Sequence, residues 1–212
     1  MMRRITTLTI LLIIFIFNGY AQSLSDVIKK MPENIICGIT NEQKEEILAN
    51  PSDSTATITG NSLYNNYLRK AVTDNYLKIQ TSATGHVQIK LLPLINNTNI
   101  ICVIKTVCKE FCDSNISFYT TDWKAIEDSS LFPKPDINWF LKSNIDKQSD
   151  EYKNAIAAID ILPIKLDISP NSNAIQVELD IEKYLDQNSY KKVQIYLEDN
   201  DIVFNWDKTR FK

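Results

Sequence analysis

From position 24 the apolar residues recur at a helical spacing. Leu24, Val27, Ile28 and Met31 fall at i, i+3, i+4 and i+7, one face of a helix. Ser23 or Ser25 can cap its start, and Pro32 limits its end. A second helix is predicted to begin after Thr40 and to run to about Ala49, before Pro51. Gln43 stands where it can complete a reciprocal capping box with Thr40. Residues 51–55, Pro-Ser-Asp-Ser-Thr, are turn formers.

From Tyr76 the period changes to two. Leu77 and Ile79 alternate with Lys78 and Gln80, and Val87, Ile89 and Leu91 alternate with His86, Gln88 and Lys90. Each run predicts a strand with one polar face, and on that face His86 reads as a solvated side chain. Residues 100–107 are apolar on both faces, as in a central, covered strand, and Ile116, Phe118 and Thr120 continue on a fourth. The polar breaks at 81–85, 96–99 and 109–111 are short. They favour an antiparallel meander, because parallel neighbours need long crossovers.

Residues 128–135 form a Ser- and Pro-bearing connection. Beyond it come helical signals near 137–142 and 150–159. A strand follows through Leu162, Ile164, Leu166 and Ile168, then a turn at 169–173 and a return strand through Ile175, Val177 and Leu179. Residues 187–197 fit either period and are read as a helix capped by Asp186. Ile202, Phe204 and Trp206 end the chain as a strand. The expected fold is α+β, antiparallel strand meanders packed with helices, over one domain at 22–212. The halves echo each other in element order, so two similar lobes, 22–128 and 129–212, are the alternative division.

The start of the chain changes the compartment. Arg3 and Arg4 precede an uncharged, mostly apolar run, and Gly19-Tyr20-Ala21 places small residues before a cut between Ala21 and Gln22. This is the pattern of a signal peptide at 1–21. The run of about 13 residues is shorter than the roughly 20 that a spanning helix needs, and no later segment reaches that length. No cysteine follows the cut closely enough to carry a lipid. The leader holds two arginines and no acid, so the exported part is more acidic than the −3 of the whole chain. Its charges are scattered, without the basic stripe of a nucleic-acid binder.

Four cysteines in an exported chain point to disulfides. Cys102 and Cys108 share a predicted strand and lie roughly 20 Å apart at 3.3 Å per residue. A bond needs Cα atoms within about 7 Å, so that pairing is excluded. With 109–111 as a hairpin tip, Cys108 faces Cys112, and a Cys108–Cys112 bond is expected. Cys37 and Cys102 either pair or stay as thiols. Redox dithiols usually enclose two residues at a helix N-terminus. This pair encloses three between strands, which favours a structural staple.

Catalytic patterns are sparse. His86 is the one histidine, so any Ser-His or Cys-His site would have to use it. Beyond the leader, Gly38, Gly60 and Gly85 are too far apart for a phosphate-cradling loop. Asp199-Asn200-Asp201 lacks the spacing of a calcium loop and reads as a turn. Glu45-Glu46 and Asp150-Glu151 read as solvated helix faces. No cofactor or metal is expected.

The segment 101–108, Ile-Cys-Val-Ile-Lys-Thr-Val-Cys, is followed by Cys112-Asp113-Ser114 and by Phe118-Tyr-Thr-Thr-Asp-Trp123. With Leu91-Leu92-Pro93 upstream and Asn205-Trp206 and Arg210-Phe211 at the end, it resembles an uncharacterised family of exported Bacteroidales proteins, domain of unknown function 3256. The resemblance covers most of the chain after the leader and carries no activity. It implies a Gram-negative envelope, periplasmic or outer-membrane-associated, and so demotes the N-glycosylation patterns at Asn96 and Asn115. Cys37 lies outside the motif, which counts against a 37–102 bond. In that setting Asp53-Ser54-Thr55 looks like a short O-glycosylation motif, with Ser54 or Thr55 as acceptor. The expectation is a non-enzymatic envelope module that binds a protein or glycan partner. A carboxylate-dependent hydrolase of envelope polymers is the alternative, and a thiol oxidoreductase the third.

Overall fold

The computed structural model describes residues 22–49, 57–59, 67–199 and 202–212. Helix α1 (Leu24–Lys29) starts where Ser23 Oγ accepts from the Asp26 N–H at 3.1 Å, and it buries Leu24, Val27 and Ile28. Helix α2 (Asn41–Ala49) opens on the expected capping box. The Gln43 N–H donates to Thr40 Oγ1 at 3.2 Å, and the Thr40 N–H donates to Gln43 Oε1 at 2.9 Å. Lys44 is buried against α1, its Nζ donating to the Met31 carbonyl at 2.7 Å.

Six antiparallel strands follow in sequential order: β1 (Thr57–Thr59), β2 (Tyr67–Val72), β3 (Tyr76–Gln80), β4 (Gly85–Pro93), β5 (Asn99–Cys108) and β6 (Cys112–Thr120). The meander of β3 to β6 stands where the alternation places it. The pairs β1 and β2 lie upstream of Tyr76, where Arg69-Lys70 interrupts any apolar alternation. A second antiparallel sheet contains β7 (Ile164–Ile168), β8 (Ala174–Leu179) and β9 (Ile202–Asn205). A 3-10 turn (Ile137–Phe140) and helix α3 (Asp150–Ile156) lead into it. Helix α4 (Gln187–Val193), with Asp186 as its cap, runs into a second 3-10 turn (Gln194–Tyr196), so the helical reading of this ambiguous stretch agrees with the structure. The fold is α+β.

The large sheet is covered on both faces. On one, Leu77, Ile79, Val87, Ile89, Ile101 and Val103 pack beneath α1 and α2. On the other, Leu92, Ile100, Cys102, Ile104 and Phe118 pack against Ile164, Leu166, Ile168, Ile175 and Val177 of the second sheet. One core thus joins residues from both sides of the 128–135 connection. This second cover corrects the expected polar face of β4. Gln88 and Lys90 are 0% and 1% exposed, and His86 is half-buried rather than solvated. Alternation shows which residues share a face but not whether another sheet lies over it.

Three aromatic residues tie these layers together. The Trp123 indole N–H donates to the Val27 carbonyl at 2.8 Å, pinning α1 to the end of β6. The Trp206 indole N–H donates to the Pro93 carbonyl at 2.7 Å, pinning the chain end to β4. Phe211 packs on Phe118, Phe132 and Trp206 with ring centroids 6.3, 5.8 and 5.1 Å apart.

Asp207 organises the last turn. Its Oδ1 accepts from the N–H groups of Thr209 and Arg210, both at 2.9 Å, and its Oδ2 lies 3.0 Å from Lys212 Nζ. The Thr209 hydroxyl, the Arg210 amide and the Lys212 ammonium favour the charged form and hold this carboxyl well below its ordinary 3.8. A folded-state pKa below the unfolded one adds stability above the ordinary value, and that stability is lost as the pH falls through the folded one. Asp207→Asn is therefore expected to melt below the natural chain at pH 7, with the gap closing below pH 3.8. Melting curves across pH 2 to 7, about one unit apart, check this; a gap that is constant with pH would contradict it.

Candidate functional site

The two sheets meet edge to face along a seam of side chains. Strand β7 is an edge strand, and alternate N–H groups along it point away from β8. Each of these finds a side chain of the large sheet. Ile164 N–H donates to Asp113 Oδ1 at 3.2 Å, Leu166 N–H to Ser114 Oγ at 3.0 Å, and Ile168 N–H to Gln88 Oε1 at 3.2 Å. Gln88 Nε2 returns a bond to the Leu166 carbonyl at 3.2 Å, and Gln88 Oε1 also accepts from the Tyr76 hydroxyl at 3.1 Å. Burial pushes the Tyr76 phenol up. Lys90 Nζ donates to Asn75 Oδ1 at 3.1 Å and to the Pro170 carbonyl at 2.9 Å, and burial lowers its pKa. These polar groups close the edge of β7 and are consumed in doing so.

Strand β6 is the other edge at this seam, and the β6 hairpin carries the cysteine pair. Cys108 and Cys112 face each other with Cα atoms 4.0 Å apart and sulfurs at disulfide distance. The Cys112 N–H turns outward and donates to Asp180 Oδ2 at 2.6 Å, while Phe111 stacks edge-on against Tyr184 at 5.2 Å. The bridge holds the tip that docks on the second sheet. Closing so short a loop is worth about 2 kcal/mol on chain-entropy grounds. The Cys108→Ser/Cys112→Ser double variant is expected to unfold roughly 4–8 °C lower. Calorimetry of the two proteins decides it, and equal midpoints would contradict the staple. Cys102 is buried opposite Phe118, with its thiol pushed up by burial, and Cys37 is exposed; both are free.

His86 lines a cavity of about 420 Å³ with Lys78, Gln80, Thr84 and Cys108. Burial and the neighbouring Lys78 lower its pKa, while Asp167 opposes the shift. Lys78 Nζ lies 3.4 Å from Asp167 Oδ1. No cysteine or serine is drawn into a hydrogen bond with the imidazole among the described residues, so the arrangement lacks a nucleophile and base in partnership.

The outward edge of β6 behaves differently along its length. At its start Asp180 caps Cys112. At its end the chain folds back, and residues 124–126 pair with it: Ile126 N–H donates to the Phe118 carbonyl and Thr120 N–H to the Lys124 carbonyl, both at 2.9 Å. The Phe118 carbonyl therefore points outward, and by strand alternation so do the backbone groups of Ser114 and Ile116. Among the described residues nothing accepts from the N–H groups of Ser114, Ile116 and Phe118. Beside this open stretch runs a groove of about 470 Å³ with Ile116, Phe118, Ile126 and Phe132 in its wall and Glu127 and Asp128 at the point where the chain leaves the strand. Asp128 Oδ1 accepts from the Ser130 N–H at 2.9 Å, which holds its carboxyl below the ordinary value.

Of the residues singled out from sequence, Cys108 and Cys112 border this region. Ser54, Thr55 and Ala21 lie outside the described residues, and Gln22 is the first described one. Among the described residues no helix is long and apolar enough to cross a membrane, and no group of three or more His, Cys, Asp or Glu side chains gathers to hold a metal. The open stretch of β6 carried no sequence signal. Its neighbours are ordinary strand residues, and only the fold-back at 124–126 and the cap from Asp180 define it.

The family described as "Protein of unknown function (DUF3256)" matches residues 16–211. The fold is similar to the solved "Structure of a domain of an uncharacterized protein from Porphyromonas gingivalis W83". The TM-score is 0.79 at 24% identity, over 89% of this chain and 96% of the other. No curated protein matches the chain.

Proposed function

The chain belongs to the DUF3256 family of proteins of unknown function, and from that premise we propose that it is an exported cell-envelope protein that binds a protein partner by taking an extended segment onto the open edge of β6. The observation that carries the reading is the run of unbonded outward N–H groups at Ser114, Ile116 and Phe118, alongside a groove with an aromatic and aliphatic wall. An unpaired strand edge is a template for another strand, and main-chain hydrogen bonds supply the affinity. Most natural edges are blunted. This protein blunts β7 with Asp113, Ser114 and Gln88 and the start of β6 with Asp180, and leaves the middle of β6 open.

Among the described residues the large hydrophobics more than half exposed, Ile95, Val107, Ile161, Ile195 and Val203, are all aliphatic, which favours a protein partner over a glycan stacked on rings. A hydrolase working through carboxylates needs one acid with a raised pKa to donate a proton. The described carboxylates that shift, Asp26, Glu42, Asp128, Asp160, Asp186 and Asp207, all shift down. The charged start, apolar run and small residues before Gln22 support export to the periplasm or outer membrane of a Gram-negative cell.

Site-specific photocrosslinking in the native organism tests the reading. A photoreactive residue at the exposed Asn115 is expected to give an adduct with a discrete protein, joined through an extended stretch of that partner. The same residue at Lys153 on α3 is expected to give none. Mass measurement of the recovered chain is expected to show a start at Gln22. No Asn115-specific adduct, or an adduct to a glycan, would overturn partner binding at β6, and a retained leader would overturn export by cleavage.

A further inference from the structure

We infer that the segment taken by β6 is a short basic-apolar peptide, with an apolar residue at alternate positions and a lysine or arginine where it meets Glu127 and Asp128. This rests on the strand-addition reading and adds the chemistry of the ligand to it.

The length of the ligand follows from the two stops. Asp180 closes the edge at Cys112, and the fold-back of 124–126 closes it at Phe118. A peptide strand therefore pairs over Ser114 to Ser117 and lies in line with residues 124–126, ending where Ile126 stands opposite Phe118. Successive side chains of such a strand alternate between faces. Those on the face of Ile116 and Phe118 enter the groove walled by Ile126 and Phe132, so alternate apolar residues fit there. The other alternate positions lie on the face of Asn115 and Ser117, of which Asn115 is exposed, and suit small polar residues.

Charge sets the end residue. Glu127 and Asp128 are both exposed and both stand at the mouth of the groove. The hydrogen bond from the Ser130 N–H to Asp128 holds its carboxyl below the ordinary value. The opposite stop is acidic too, formed by Asp180 with Asp113 beside it. A basic residue at either end gains from these fields, whereas an acidic one is repelled. The same charges disfavour a second copy of the chain, because two β6 edges paired about a two-fold axis would bring like charges together at both ends.

The test uses the full chain from Gln22, isotope-labelled, with three synthetic peptides as probes. One is Lys-Val-Thr-Val-Thr-Lys, the second carries glutamate in place of both lysines, and the third is the lysine peptide with its central amides methylated. The lysine peptide is expected to shift the amide signals of Ser114, Ile116 and Phe118 and to bind about 10-fold more tightly than the glutamate peptide, with the difference shrinking as salt rises. The Glu127→Lys/Asp128→Lys variant is expected to abolish that preference, since it leaves only the acidic stop at Asp180. The methylated peptide, unable to complete the ladder, is expected to leave the three amides unshifted. Equal binding of the lysine and glutamate peptides at these amides would overturn the basic-apolar ligand and leave strand addition standing. No shift with either charged peptide would overturn both. Shifts that appear with protein concentration alone would assign the edge to a second copy and overturn the peptide ligand.

Discussion

Replacing Gln88 with alanine is expected to cost about 3 kcal/mol, the largest stability loss of any single polar substitution in the described core. The amide serves three buried partners at once. Its oxygen accepts from the Tyr76 hydroxyl and the Ile168 N–H, and its nitrogen donates to the Leu166 carbonyl. Truncation leaves two donors and one acceptor without partners between two sheets. A buried polar group left unpaired costs roughly 1–3 kcal/mol, and some relief comes from water entering the space. The midpoint of thermal unfolding is expected to fall by about 6–12 °C for a chain of this size. Denaturant unfolding with fluorescence of the tryptophans measures it. A loss under about 1 kcal/mol would mean that the seam between β4 and β7 is not held by this amide. Gln88→Glu separates hydrogen bonding from volume. A carboxylate keeps the two acceptor roles, loses the donor, and buries a charge, so its cost is expected to ease as the pH falls and the group protonates.

Ile116→Pro is expected to weaken partner binding by roughly 10- to 100-fold while leaving the fold in place. The Ile116 N–H faces outward and bonds nothing among the described residues, so its removal breaks no bond of the sheet. Proline is tolerated in edge strands when its nitrogen faces away from the neighbour. The ring then occupies the line that an added strand would follow, and at least one intermolecular hydrogen bond is lost with its neighbour strained. Each such bond contributes about 0.5–1.5 kcal/mol, and 1.4 kcal/mol is tenfold in affinity. Binding of the lysine peptide by calorimetry, together with a thermal melt of the variant, reads both parts. Ser117→Pro serves as the contrast. Its N–H faces β5, so this change is expected to destabilise the sheet outright. Undiminished binding by a folded Ile116→Pro protein would place the partner elsewhere.

The parts of the fold that local chemistry controls were legible in the sequence. Ser23, Thr40 with Gln43, and Asp186 mark helix starts because a side-chain oxygen three residues upstream is what an orphan N–H needs. Strands β3 to β6 follow from alternation and short polar breaks. The Cys108–Cys112 pairing follows from the three residues of the tip between them. Placement between layers was not legible. His86, Gln88 and Lys90 look like a wetted face, and only the second sheet, formed some 80 residues later, turns that face into an interior. The doubly apolar run at 100–107 already required a cover on both sides of β5. The same cover extends over β4, and there it meets polar side chains that bond across the gap. The open edge of β6 was hidden for a related reason. Whether a strand edge is free depends on what lies beside it, and here that is decided by Asp180 from one distant element and by the fold-back through Trp123, whose positive φ of 62° turns the chain.

The aromatic residues near the ends of the two sheets have a structural role in the same light. Trp123, Trp206 and Phe211 are clamps between layers, through the Val27 and Pro93 carbonyls and the Phe118 and Phe132 rings. Trp123 and Phe211 hold the C-terminal end of β6, and Trp206 holds the end of the chain on β4. These aromatic residues thus hold the scaffold, and the edge of β6 is presented through backbone rather than through side chains.

Amide hydrogen exchange along β6, resolved residue by residue in the free chain, reads whether this edge is open. Ser114, Ile116 and Phe118 are expected to exchange fast. Asn115 and Ser117, facing β5, and Cys112, capped by Asp180, are expected to exchange slowly. Adding the lysine peptide is expected to slow Ser114 and Ile116 without altering Asn115, Ser117 and Cys112. Exchange at Ile116 and Phe118 as slow as at Ser117 in the free chain would show the edge already covered and rule out strand addition at β6.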